Sequence, residues 1–108
     1  EMATHSRIGL HIYLDQMILQ EEVKKTCECF AIDPFRSISE GTLLASVNKK
    51  NAKKVVRALE DEGISASICG EAAAAKEGLW VHHGTSCFPL AHPKVDPFWT
   101  RFEEYLKK

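Results

Sequence analysis

The run SISEGTLLASVNKKNAKKVVRALEDEGISASICGEA, Ser37–Ala72, decides the fold. Thr42–Val47 is a mainly apolar stretch, short enough for a buried strand. Asn48 is a suitable N-cap for a following helix. Ala52, Val55, Val56 and Leu59 recur at helical spacing and form one apolar stripe. Gly63 then supplies the left-handed residue that commonly stops a helix. Ile64–Cys69 alternates again and reads as another strand. Strand, helix and strand follow one another within a few dozen residues.

The flanks extend the pattern. Ile8, Leu10, Ile12 and Leu14 alternate with Gly9, His11 and Tyr13, which marks a strand with one buried face. Asp15–Leu19 reads as a loop or short turn. From Gln20 onward Val23, Cys27 and Phe30 take helical spacing, with Glu21 and Glu22 in the first turn, where negative charge suits the helix dipole. Asp33-Pro34 is expected to end that helix, because proline disfavours helical geometry in the residue before it. Leu79–His82 reads as a last strand. Ala72–Gly78 before it is expected to be a hairpin-like connection, with a helical turn over the four alanines as the alternative.

After His83, Pro89, Pro93 and Pro97 break up the chain, so residues 84–108 are expected to be an extended tail ending in a short helix marked by Phe98, Phe102 and Tyr105. The predicted fold class is α+β. It has a mixed sheet of about four strands with helices mainly on one face, partly ferredoxin-like.

Composition limits function. Hydrophobic residues make up 44% of the 108, enough for a core. With charged residues at 27% and a net charge of -1, a nucleic-acid surface is not expected. The one basic run, Lys49–Arg57, reads as a solvated helix face. No apolar stretch has the ~20 residues of a membrane span, and no signal or lipidation motif is visible. Cys27, Cys29, Cys69 and Cys87 lack the spacing of a secreted disulfide framework and read as reduced thiols, which points to the cytoplasm. The opening at Glu1, with no start-like leader, suggests the later part of a longer protein.

Three constellations invite chemistry. Cys27 and Cys29, two apart on a helix, point about 200° from each other and do not converge on one ion. His82, His83, Cys87 and His92 carry zinc-compatible donors, but neighbouring strand residues face opposite ways, so no metal site is expected there. Cys87 beside His82 or His83 could pair a thiol with a base, yet nothing nearby activates the thiol. No Walker loop or G-x-G-x-x-G cradle occurs.

The third constellation is Ser39, Glu40, Gly41 and Thr42. A plain turn explains the glycine. A carboxylate and two hydroxyls at a strand entrance also suit a ligand, since binding groups concentrate on loops fixed to a rigid scaffold.

Three segments in order carry a resemblance: EEVKKTCECFAIDPFRSISEGTLLASV, then NKKNAKKVVRALEDEGISASICGEA, then GLWV. They resemble the C-terminal domain of the aminoimidazole ribonucleotide (AIR) synthetase superfamily, which includes the hydrogenase maturation dehydratase, over roughly residues 1–83. The resemblance implies a parent protein in which an N-terminal domain, not present in this sequence, binds ATP and magnesium and forms a homodimer. The C-terminal domain closes the cleft, and its opening helix would be truncated here, with Met2 and Ala3 near that helix's end. It also implies that Ser39, Glu40, Gly41 and Thr42 face the inter-domain cleft, and that Gly70, in the I-C-G-E segment, is structural like Gly63.

The hydrogenase maturation enzyme ends in a carbamoyl-accepting cysteine. This chain ends in Leu106-Lys107-Lys108, so that chemistry does not carry over. No catalytic residue is expected in the chain itself, whereas the parent is expected to be an ATP-dependent enzyme. The alternative is a stand-alone regulatory module that binds a small ligand or a protein.

Overall fold

The alternation from Ile8 to Leu14 becomes strand β1, Gly9–Tyr13, at the centre of a four-stranded sheet. The computed structural model describes all 108 residues, Glu1–Lys108. Four α-helices and four strands make it up, so the fold is α+β. A short helix α1, Met2–Ser6, precedes β1. The other strands are β2, Gly70–Ala73; β3, Leu79–His83; and β4, Ser86–Pro89.

The sheet order is β2-β1-β3-β4. β1 runs parallel to β3, and each edge strand is antiparallel to its neighbour. A parallel neighbour requires a long crossover, and the chain between β1 and β3 supplies it. β1 and β2 approach closely because both carry glycine. A Cβ on Gly9 would run into the backbone oxygen of Ala74, and one on Gly70 into that of His11.

The chain divides into two units: residues 1–18 with 46–91, and residues 19–45 with 92–108. The first holds the sheet, α1 and helix α3, Ala52–Asp61. Val81 and Ala3 are its buried apolar residues. On α3, the predicted stripe residues Ala52, Val56 and Leu59 are half-buried, whereas Val55 is exposed. After this helix Gly63 adopts φ +76°, and Ile64 N–H donates to Leu59 O at 2.9 Å, the left-handed stop the sequence suggests.

The second unit holds helix α2, Glu21–Phe30, and helix α4, Pro97–Leu106. α2 ends with Ala31 in the left-handed region, ahead of Asp33-Pro34. Asp96 caps α4, its Oδ1 accepting from Phe98 N–H at 3.0 Å, with Pro97 at the first helical position. Phe30 meets Tyr105 edge-on at 6.3 Å between centroids, and the Arg101 guanidinium donates to Ala31 O at 3.4 Å.

Several expectations are corrected. Thr42–Val47 is not a buried strand: Leu43 is 89% and Leu44 59% exposed, and no backbone hydrogen bond joins Leu43–Val47 to a neighbour. A strand exists only by pairing, which the hydropathy of a single run does not report. Asn48 does not cap α3; it makes a turn, its backbone oxygen accepting from Asn51 N–H at 2.8 Å, and Asn51 takes the cap position.

The strand expected over Ile64–Cys69 lies further on, at Gly70–Ala73, where the small residues allow pairing with β1. β2 and β3 form no hairpin, because β1 lies between them; Ala75–Glu77 is instead a single 3-10 turn. Within the expected tail, Ser86–Pro89 is β4, joined to β3 by a tight turn at Gly84-Thr85.

Candidate functional site

Side chains alternate across each strand, so the register sorts the sheet into two faces. Leu10, Ile12, Leu79, Val81 and Phe88 share one, and Val81 is buried there. His11 and Tyr13 of β1, Glu71 of β2, Trp80 and His82 of β3, and Cys87 of β4 share the other. A polar and aromatic cluster therefore occupies the centre of one sheet face.

Its middle is a pair of histidines. His11 Nδ1 and His82 Nε2 lie 2.9 Å apart in a hydrogen bond, with ring centroids 5.2 Å apart. On the far side of the His11 ring, Nε2 faces Glu77 Oε1 at 3.6 Å. Which ring donates depends on the tautomers; a proton on Nε2, toward that carboxylate, would leave Nδ1 as the acceptor. Tyr13 stacks on the His82 ring at 4.8 Å and 24°, which fixes its plane. Trp80 Nε1–H donates to Glu77 O at 2.6 Å and anchors the turn carrying that carboxylate.

The other histidines lie elsewhere. His83 points away from His82, as strand alternation requires, and meets Asp15 Oδ1 at 3.5 Å. The second oxygen of Asp15 accepts from Gly84 N–H at 2.7 Å, so Asp15 tethers the β3–β4 turn. His92 Nδ1 accepts from Lys94 N–H at 2.9 Å in a local turn. No three His, Cys, Asp or Glu side chains converge in a cluster that could hold a metal.

The sequence-predicted loop is present as an exposed turn. Ser39 Oγ and Thr42 Oγ1 are hydrogen-bonded at 2.8 Å across it. Gly41 at its tip has φ +77°, with open space where a Cβ would stand. Glu40 is exposed and forms no ion pair within the chain. The structure thus joins Ser39 to Thr42 and leaves the Glu40 carboxylate free in solvent. Sequence reasoning missed the His11–His82 pair. Its signal was available only as two histidines on separate strands, and the pairing of those strands had to be known first.

A four-stranded mixed sheet with a parallel centre, interleaved with four helices, defines an α+β domain of the kind found in AIR synthase-related proteins. The family model "AIR synthase related protein, C-terminal domain" matches residues 1–82, and the chain belongs to that family.

Among curated relatives, the chain is 31% identical over 81 residues to the "Putative hydrogenase expression/formation protein" of Methanocaldococcus jannaschii, covering 73% of this chain and 24% of that one. It is 32% identical over 76 residues to the carbamoyl dehydratase HypE of Rhizobium leguminosarum bv. viciae, covering 68% of this chain and 22% of that one. A solved HypE–HypF complex contains a chain of the same fold, with a TM-score of 0.74 at 24% identity over 85% of this chain and 31% of that one. The chain spans about a quarter of the length of the curated relatives it matches.

Proposed function

We propose that this chain acts as the C-terminal domain of an ATP-dependent protein of the hydrogenase-maturation type, closing a cleft over a ligand held mainly by a separate N-terminal domain. The observation that carries this reading is the match of residues 1–82 to the C-terminal domain model, with hydrogenase-maturation proteins among the relatives.

The chain by itself is not expected to hold ATP and magnesium. No acidic cluster for a cation forms. Of two shallow depressions on its surface, one is lined by Ile18, Glu60 and the turn at Gly63, with no cationic side chain to meet a phosphate. The other offers Arg101, already bound to Glu104 at 2.7 Å. In this reading both groups belong to the N-terminal domain, which also forms the homodimer.

The role of Ser39, Glu40, Gly41 and Thr42 in this reading is to face the ligand from the covering side. An exposed, unpaired carboxylate beside two hydroxyls is free to take a new partner when the cleft closes. Large apolar side chains left exposed, among them Ile38, Leu43 and Leu44, fit a surface that another part of the protein covers. Four free cysteines suit a reducing compartment, and we assign the protein to the cytoplasm. No helix is long and apolar enough to cross a membrane.

Equilibrium dialysis with ATP and magnesium tests the assignment. The 108-residue chain should retain no nucleotide, while the full-length protein carrying this domain should retain one ATP per chain. Stoichiometric binding to the isolated chain would contradict it.

A further inference from the structure

We propose that His11 and His82 form a proton-operated clasp across the centre of the sheet, closed while the pair keeps a ring lone pair between its two nitrogens and open once both rings are protonated. The first support is the bond itself. His11 Nδ1 and His82 Nε2 meet at 2.9 Å. A hydrogen bond between two imidazoles needs one N–H and one lone pair. Whichever ring donates, two imidazolium rings present two donors and no acceptor, and their like charges repel. The clasp therefore does not outlast the second proton.

The second support is that each ring has another partner already in place. His11 Nε2 faces Glu77 Oε1 at 3.6 Å, within ion-pair distance once the ring is charged. His82 stacks on Tyr13 with centroids 4.8 Å apart, and an aromatic face attracts a cation. Losing the His11–His82 bond leaves neither ring without a contact. Two sets of partners for one pair make a two-state element that protons can bias.

The other titratable groups on this face are Glu71 of β2, opposite His11, and Cys87 of β4, opposite His82. Cys69 stands next to Tyr13, its backbone O accepting from Tyr13 N–H at 2.8 Å. Lys49 reaches Glu71 at 3.7 Å. Two carboxylates and one lysine thus surround the pair, a balance that tolerates added positive charge. β1 and β3 stay joined through their backbones, with Tyr13 opposite His82, so opening alters this face and leaves the sheet intact.

Proton bookkeeping needs only solvent, which reaches the pair because the His11 side chain is 22% exposed. The first added proton enters the free nitrogen of the donating ring and keeps the N–H···N bond. The second takes the lone pair of the accepting ring, and the bond breaks. Both steps belong to the pair rather than to one residue.

The test is a pH titration of the chain labelled with ¹⁵N-histidine, read from the ring-nitrogen chemical shifts, which report the nitrogens that carry protons. At about pH 8, above the range in which histidine usually changes charge, one of the two facing nitrogens should be protonated and the other bare. In acid both should be protonated, and the pair should pass between these states in two steps. In H82Q, His11 should titrate in one step, as should His82 in H11Q. E77Q should move the second step to lower pH, because it removes the carboxylate waiting for the charged His11. H83Q should leave both steps in place.

Circular dichroism establishes that each variant is folded. If H82Q melts through loss of the Tyr13 stack, H11Q and the unmodified chain still decide. Two bare facing nitrogens at the alkaline end, a single step for the unmodified pair, or a His82 titration unchanged in H11Q overturns the proposal. So does an E77Q second step that stays in place, or loss of the two steps in H83Q.

Discussion

His82 on β3 reaches across to His11 on β1, Nε2 to Nδ1 at 2.9 Å, while its strand neighbour His83 turns the other way to Asp15. Two adjacent histidines thus serve different ends because a strand sends consecutive side chains to opposite faces. His83 and Asp15 secure the turn into β4, and His82 belongs to the polar centre of the sheet.

Gly9→Ala should be more damaging than Gly63→Ala. Its Cβ would meet the backbone oxygen of Ala74, which has no flexible end to move aside. Gly63→Ala meets open space and bears only the cost of a left-handed backbone, about 1–2 kcal/mol. Chemical denaturation of both variants should show the larger loss at Gly9. Equal losses would mean that β1 and β2 do not approach as described.

Leu59→Ala should cost about 1–2 kcal/mol, roughly half to all of the stabilisation from a well-buried leucine, because Leu59 is only half-buried. Lys53→Ala lies on an exposed position of the same helix and should change stability by less than about 0.5 kcal/mol. Urea melts of the two variants check the helix face. A Lys53 effect as large as that of Leu59 would show that α3 presents a different side.

Asp96→Ala should cost about 1 kcal/mol, since it removes the oxygen that accepts from Phe98 N–H at the start of α4. Asp96→Asn should recover most of that loss because asparagine caps nearly as well. Thermal melts followed by helix circular dichroism read both. An unrestored Asp96→Asn variant would point to a role for the charge rather than the cap.

These elements were legible in the sequence to different degrees. α2, α3 and α4 announced themselves because a helix is held by bonds within its own run, so local spacing carries most of the signal. β1 was visible through its clean alternation. β2 was misplaced because Ile64–Cys69 has the stronger hydropathy pattern, whereas pairing with β1 selected the small residues Gly70–Ala73.

β4 was hidden by its proline. Pro89 sits at the end of an edge strand, where a missing N–H is tolerated. Thr42–Val47 misled for the converse reason: its composition suits a strand, but no strand pairs with it. The loop residues Ser39–Thr42 could be picked out by residue type. The His11–His82 pair could not, because residues 71 positions apart meet only once the sheet order is known.

Gly41→Ala should destabilise the turn by about 1 kcal/mol, since φ +77° is a region alanine enters at a cost, even with open space around the Cβ. The measurement is the melting of the isolated chain. An unchanged or raised melting temperature would show that this turn relaxes freely and is not held in the described form.

The central claim is that this domain closes over a ligand and meets it through the Ser39–Thr42 loop. Its most direct test is Glu40→Gln in the full-length protein, with melting and ATP-dependent turnover measured side by side. Glu40 is exposed and unpaired within this chain, so melting should be unchanged within about 0.5 kcal/mol. Turnover should fall about 100-fold, the scale of a lost positioning contact. A Glu40→Gln protein that melts normally and turns over at the full rate would contradict the account and leave the loop a plain turn.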